Sequence, residues 1–161
     1  MEPLNLDTLT EALASGRLEL GERPLNMKDL SDSGTVSKIR HGVKLLGRGA
    51  AGFAASGLEG VSLEVSRASA SARAAIEAAG GTLTTVHYNR LSLRALLKPH
   101  KFMAVPGVPP LLPRPARPPP RLRDKVQAIG GLPAGAPPTP LPPLIASRRA
   151  DARAVEMPTK Q

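Results

Sequence analysis

The apolar positions divide the first hundred residues into short alternating elements. Leu6, Leu9 and Leu13 fall on one helical face, with Asp7 placed as the cap and Gly16 as the stop. A second short helix follows Asn26, its predicted cap. Asp29 stands at the third helical position, Leu25 and Leu30 are spaced as a hydrophobic staple, and Gly34 ends the helix. Residues 43–46 read as a short strand. Val61, Leu63 and Val65 alternate with Ser62, Glu64 and Ser66, the pattern of a half-buried strand. Residues 69–79 predict an alanine-rich helix, with Ala72, Ile76 and Ala79 inward and Gly80-Gly81 at its end. A threonine-rich strand follows over 83–88. Asn89 then caps a last helix that buries Leu93, Leu96 and Leu97 and stops at Pro99. Helices and strands alternate, so the fold class is α/β: a small single domain followed by an extended Pro/Arg-rich tail. No internal repeat is present.

Proline sets the boundary. Of 18 prolines, 15 lie between Pro99 and Pro143. Proline fixes φ and removes a hydrogen-bond donor, so most of this stretch cannot be helix or central strand. The expected organisation is a globular domain over 1–98 and an extended Pro/Arg-rich segment over 99–130. Residues 131–161 form a low-complexity tail whose composition does not require order. The tail shows no periodicity and should extend over a surface supplied by another molecule. Charge follows the same division: 12 basic and 10 acidic residues up to Lys98, then 10 basic and 3 acidic, for a net charge of +9.

Composition removes several function classes. With no Cys, disulfide scaffolds, thiolate metal sites and cysteine nucleophiles are excluded. Phe53, Tyr88 and Phe102 are too few and too scattered for a base-stacking platform. No apolar run approaches the ~20 residues of a membrane span. The first residues, Met1 to Asn5, lack the Arg-rich, acid-poor pattern of an import signal and the apolar core of a secretory one.

The run Gly47-Arg48-Gly49-Ala50-Ala51-Gly52 matches a dinucleotide-binding fingerprint, but no helix is predicted after Gly52. The acid at the right distance, Glu77, lies within a helix. No cofactor is expected, and the segment reads instead as a flexible loop whose bare backbone can lie against phosphates. His41, His87 and His100 lack second ligands at metal spacing. No nucleophile elbow or acid–base pair appears, so neither an enzyme nor a small-molecule substrate is expected.

The basic clusters carry the chemistry. Lys38, Arg40, His41, Lys44 and Arg48 occur with no acid between them, at the entry and exit of the strand over 43–46. Arg90, Arg94 and Lys98 fall four apart, one stripe opposite Leu93 and Leu97, with Lys101 just beyond. Like charges at this spacing cost a few tenths of a kcal/mol per pair, easily offset by an adjacent phosphate backbone; the alternative is a solvated helix face. Arg67, Ser69 and Arg73 surround a helix start, where free amides also favour an anion. Arg114, Arg117, Arg121, Arg123 and Lys125 punctuate the prolines, and on an extended rod they could track phosphates over several nucleotides. A competing reading makes the chain a protein-interaction adaptor whose Pro-rich tail is a ligand for an aromatic groove.

Several segments together resemble a known family: "LNLDTL", "GRLELGERPLNMKDLSDSGTV", "KIRHGVKLLGRG" and "LEVSRASASARAAIEAAGGTLTTVHYNRLSLRALLKPHKF". They are similar to the C-terminal domain of bacterial-type large-subunit ribosomal protein fifteen. The strongest signatures are Gly42-Val43-Lys44-Leu45-Leu46-Gly47-x-Gly49 and Glu77-Ala78-Ala79-Gly80-Gly81. Thr84-Thr85-Val86-x-Tyr88-Asn89-Arg90 and Leu97-Lys98-Pro99-x-x-Phe102 are closer to the mitochondrial branch, which continues into a Pro- and Arg-containing extension. The resemblance spans residues 4–125. It implies irregular strand–strand–helix turns and a non-catalytic, rRNA-binding role in the large subunit, mitochondrial rather than plastid, with neighbouring ribosomal proteins as partners. It further implies that the loop from Lys44 to Gly49 and the helix start at Ser66-Arg67-x-Ser69-x-Ser71 face rRNA. Family members begin with a long Gly-, Lys- and Arg-rich arm, whereas Met1 here falls near the start of the globular domain. Expectations of deep rRNA penetration therefore do not transfer.

Overall fold

In the computed structural model, which describes residues 1–21, 23–102, 112–114 and 116–141, two small sheets share one apolar core. The first has the order β1 (Glu2–Asn5), β2 (Val43–Leu46), β4 (Arg67–Ala68), all parallel. The second runs β3 (Ser62–Val65), β5 (Thr82–His87), β6 (Ala128–Ile129), β7 (Thr139–Pro140). Its first two pairings are parallel and the last is antiparallel. This is the α/β class expected from the pattern. β1 escaped the pattern because Pro3 weakens it as a strand; on a sheet edge the missing N–H leaves no ladder bond unmade.

Among the described residues five α-helices pack on the sheets: α1 (Leu6–Ala14), α2 (Met27–Asp32), α3 (Ala50–Ala55), α4 (Ala70–Ala78) and α5 (Arg90–Leu97). The caps of α2 and α5 are those the sequence predicts, while Ser69, expected within α4, is its cap. Asn26 accepts from the Lys28 and Asp29 amides while Asp29 accepts from the Asn26 amide. Ser69 accepts from Ala72, and Asn89 accepts from Ser92 at 2.6 Å. The cap of α1 differs. Asn5 holds that position without a side-chain bond, and Asp7 lies in the first turn facing Arg48 at 3.8 Å. Leu6 is fully buried, and its place in the core draws the helix start ahead of Asp7.

Three further expectations are corrected. A helix does open in the glycine-rich run. α3 spans Gly52 because Phe53, 1% exposed, is driven into the core; its burial yields about 2 kcal/mol against a weak six-residue helix. β3 is not half-buried: Glu64 and Ser66 are buried alongside Leu63 and Val65. The cover on that side comes partly from the tail, the third correction. Residues 126–141 fold back onto their own domain instead of reaching for another surface. Gln127 donates its amide to the Thr85 carbonyl at 2.9 Å and accepts from the Thr85 amide through its side chain at 2.9 Å. Gly130 donates to His87, and Val126 and Ala128 are buried. An uncovered β5 would present unpaired amides to water, and β6 completes its ladder. Residues 142–161 of the predicted low-complexity tail lie outside the described residues.

Candidate nucleic-acid interface

β2, β4 and the start of α4 bring residues from three parts of the chain to one surface. Lys44 projects outward from β2 between the buried Val43 and Leu45. Its partner across the ladder is Arg67. With Ser69, Arg73 and Lys125 they line an open cleft of about 670 Å³, in which Asp124 is the one acid among the described residues. Arg67 and Val126 also line a neighbouring cleft of about 200 Å³, with Arg40, His41, His87 and Arg90 and no acid among the described residues. The two clefts thus form one acid-poor surface that no sequence window contains. It exists because parallel pairing puts residue 44 beside residue 67 and the folded tail brings residue 125 alongside.

Ion pairing sorts the cations. Among the described residues, Lys44, Arg67, Arg90 and Lys125 face no carboxylate within 4.0 Å, so their charge is available to an external anion. Arg73 is partly committed, with Glu77 at 3.5 Å and a bond to the Leu83 carbonyl at 3.1 Å. Arg48 faces Asp7 and lies outside both clefts. The histidines, distant in sequence, partly converge: His41 and His87 share the smaller cleft. Their neighbours there are arginines, and burial holds His87 below the ordinary histidine value. A cationic surround of this kind repels a metal ion.

The other sequence-predicted residues are more dispersed. Lys38 is exposed on the connection between α2 and β2. Arg90, Arg94 and Lys98 are exposed along α5 while Leu93 and Leu96 are buried, so the stripe exists; only Arg90 reaches a cleft. Lys101 is exposed in a 3₁₀ helix, Pro99–Phe102. Arg114 and Arg117 are exposed beside the buried Pro118. Arg121 and Arg123 are exposed on a second 3₁₀ helix, Pro120–Lys125, instead of an extended rod. Gly49 is the α3 cap at φ +87°. A Cβ there would collide with the Asp7 carboxylate and lie 2.7 Å from its amide, and one on Gly47 would lie 2.8 Å from the Ser71 Cβ. These glycines permit the packing of α1 and α4 against the loop. The expected flexible loop is a close-packed corner.

A small basic α/β domain with one acid-poor cationic surface is the class that fold and site define. The chain belongs to the ribosomal protein family that groups 50S-L15 and 50S-L18e with their 60S counterpart, and the family pattern matches residues 3–84. It is 43% identical over 99 residues to the large ribosomal subunit protein uL15m of Neurospora crassa, covering 61% of this chain and 30% of that protein. The uL15m of Schizosaccharomyces pombe is 39% identical over 108 residues, 66% of this chain and 40% of its own. The uL15 of the bacterium Acidiphilium cryptum is 44% identical over 85 residues, 52% of this chain and 48% of its own. The chain therefore spans less than half the length of these relatives.

Proposed function

We propose that the chain is a structural constituent of the large subunit of the mitochondrial ribosome, located in the matrix and supporting translation without catalysis. Its partners are large-subunit rRNA and neighbouring ribosomal proteins. The observation that carries this reading is the acid-poor surface on which Arg40, Lys44, Arg67, Arg90 and Lys125 converge, found on a domain of the ribosomal family. Such a surface suits phosphates and shape, and the shortage of aromatics argues against base stacking. Affinity arises from counterion release over many modest contacts. The exposed stripe on α5, with Lys38, Arg114, Arg117, Arg121 and Arg123, extends the same field over the surrounding surface. Among the described residues no helix is long and apolar enough to cross a membrane. The adaptor reading is weaker, because Pro118 is buried and Pro120–Lys125 is turned into a 3₁₀ helix, which removes part of the extended ligand it requires. Sucrose-gradient sedimentation of organelle lysate tests the proposal. The chain is expected with the large subunit at magnesium levels that keep subunits intact. Recovery in light fractions alone would overturn it.

A further inference from the structure

Outside both cationic clefts, one acid among the described residues is buried without a hydrogen-bond or ion-pair partner. Glu64 is 6% exposed and lines a separate cavity of about 250 Å³. Pro24, Leu96, the Tyr88 ring and the turn 135–138 form its walls. Three polar neighbours make bonds elsewhere. The Arg23 guanidinium forks onto Asp29 at 2.8 and 2.9 Å. The Asn26 side-chain oxygen accepts from the Lys28 and Asp29 amides. The Tyr88 hydroxyl donates to the Gly131 carbonyl at 3.3 Å. No hydrogen bond or ion pair among the described residues reaches the Glu64 carboxylate. Burial pushes this carboxyl above its ordinary range; Arg23 pulls it back and Asp29 adds to the rise. Arg23 pairs with Asp29, which leaves the Glu64 carboxylate without an ion-pair partner of its own among the described residues.

We propose that this cavity is a socket for the guanidinium of an arginine side chain from a basic polypeptide segment. The carboxylate would accept its N–H groups, the apolar walls would take the methylene stem, and the Tyr88 and proline faces would flank the planar cation. Phosphates are repelled by the carboxylate, and the volume falls below the ~300–1,000 Å³ of small-molecule sites. The bound group is therefore a side chain, not a nucleotide or a cofactor. Two sources share this chemistry: a neighbouring protein, or this chain's own Arg148, Arg149 and Arg153. The socket does not depend on the ribosomal reading, since no nucleic acid enters its test.

The test is carboxyl-carbon NMR of the full chain labelled at glutamate, with Glu64→Gln identifying the resonance. In the free chain Glu64 is expected to titrate above the ordinary carboxylate range. N-acetyl-arginine amide should lower that midpoint, and the neutral citrulline analogue should leave it unmoved. The Glu64→Gln chain should bind the arginine compound at least about tenfold more weakly, a loss near 1.4 kcal/mol. A free-chain midpoint already below the ordinary range, rising when Arg148, Arg149 and Arg153 are replaced by Gln, would assign the socket to the chain's own arginines. A midpoint that the arginine compound leaves unchanged, or that the citrulline compound shifts equally, would overturn the socket.

Discussion

Gly49 is required twice over, by its left-handed φ of +87° and by the Asp7 backbone against which it packs. Left-handed backbone alone costs a non-glycine residue about 1–2 kcal/mol, and the steric conflict adds to it. Gly49→Ala should therefore lower the unfolding free energy by at least ~2 kcal/mol in urea denaturation. A loss under ~0.5 kcal/mol would mean that the corner is free to shift. Glu64 makes the opposite case, a residue the free domain folds in spite of. Its folded-state pKa is raised, so the folded chain keeps a proton that the unfolded chain releases once pH passes the ordinary 4.5. Stability from this group is full below that value and is lost as pH rises through the raised one. Glu64→Gln should thus match the parent chain near pH 4 and exceed it near pH 7.5 in thermal unfolding. Equal stability at both would show the carboxylate to be solvated or paired.

Among the elements, the attachment of β6 to β5 is the most exposed to disruption. Gly130 lies against the Tyr88 ring, where an added Cβ would fall within the ring itself. Gly130→Ala should detach β6 and weaken the protein by roughly 1–3 kcal/mol. Amide hydrogen exchange reads this locally: the Gln127 and Gly130 amides, bonded to Thr85 and His87, should lose protection while β2 keeps it. Unchanged protection would mean that the ring moves aside. The tail strand is also where sequence reading fell short. Val126 and Ala128 alternate with Gln127 and Ile129 in the longest proline-free run between Pro99 and Pro143, but four residues amid prolines are too short a signal. α2 and α5 were legible because Asn26 and Asn89 each combine a capping side chain with a periodic apolar face, and α4 because Ala72 and Ile76 share a face that Gly80-Gly81 ends. α3 was not, because a single buried phenylalanine decides it. The candidate site was legible as a set of cations but not as a surface, since the pairing of residue 44 with residue 67 is a product of topology.

For the whole molecule, the distribution of charge matters more than its sum. Arg90, Arg94 and Lys98 sit exposed on a helix with no acid of its own, and removing their charge touches no packing. Replacing all three by Gln should leave stability within about 1 kcal/mol. In filter binding to large-subunit rRNA it should weaken association and flatten the log–log salt dependence by about 2 units. An unaltered slope would reduce the stripe to a solvated face. The Lys44–Arg67 surface can be judged most directly by a cryo-EM map of the large subunit carrying this chain. The account predicts rRNA phosphate oxygens within about 4 Å of Lys44, Arg67 and Arg90. A map that leaves those three side chains in open solvent, or packed solely against protein, would contradict it.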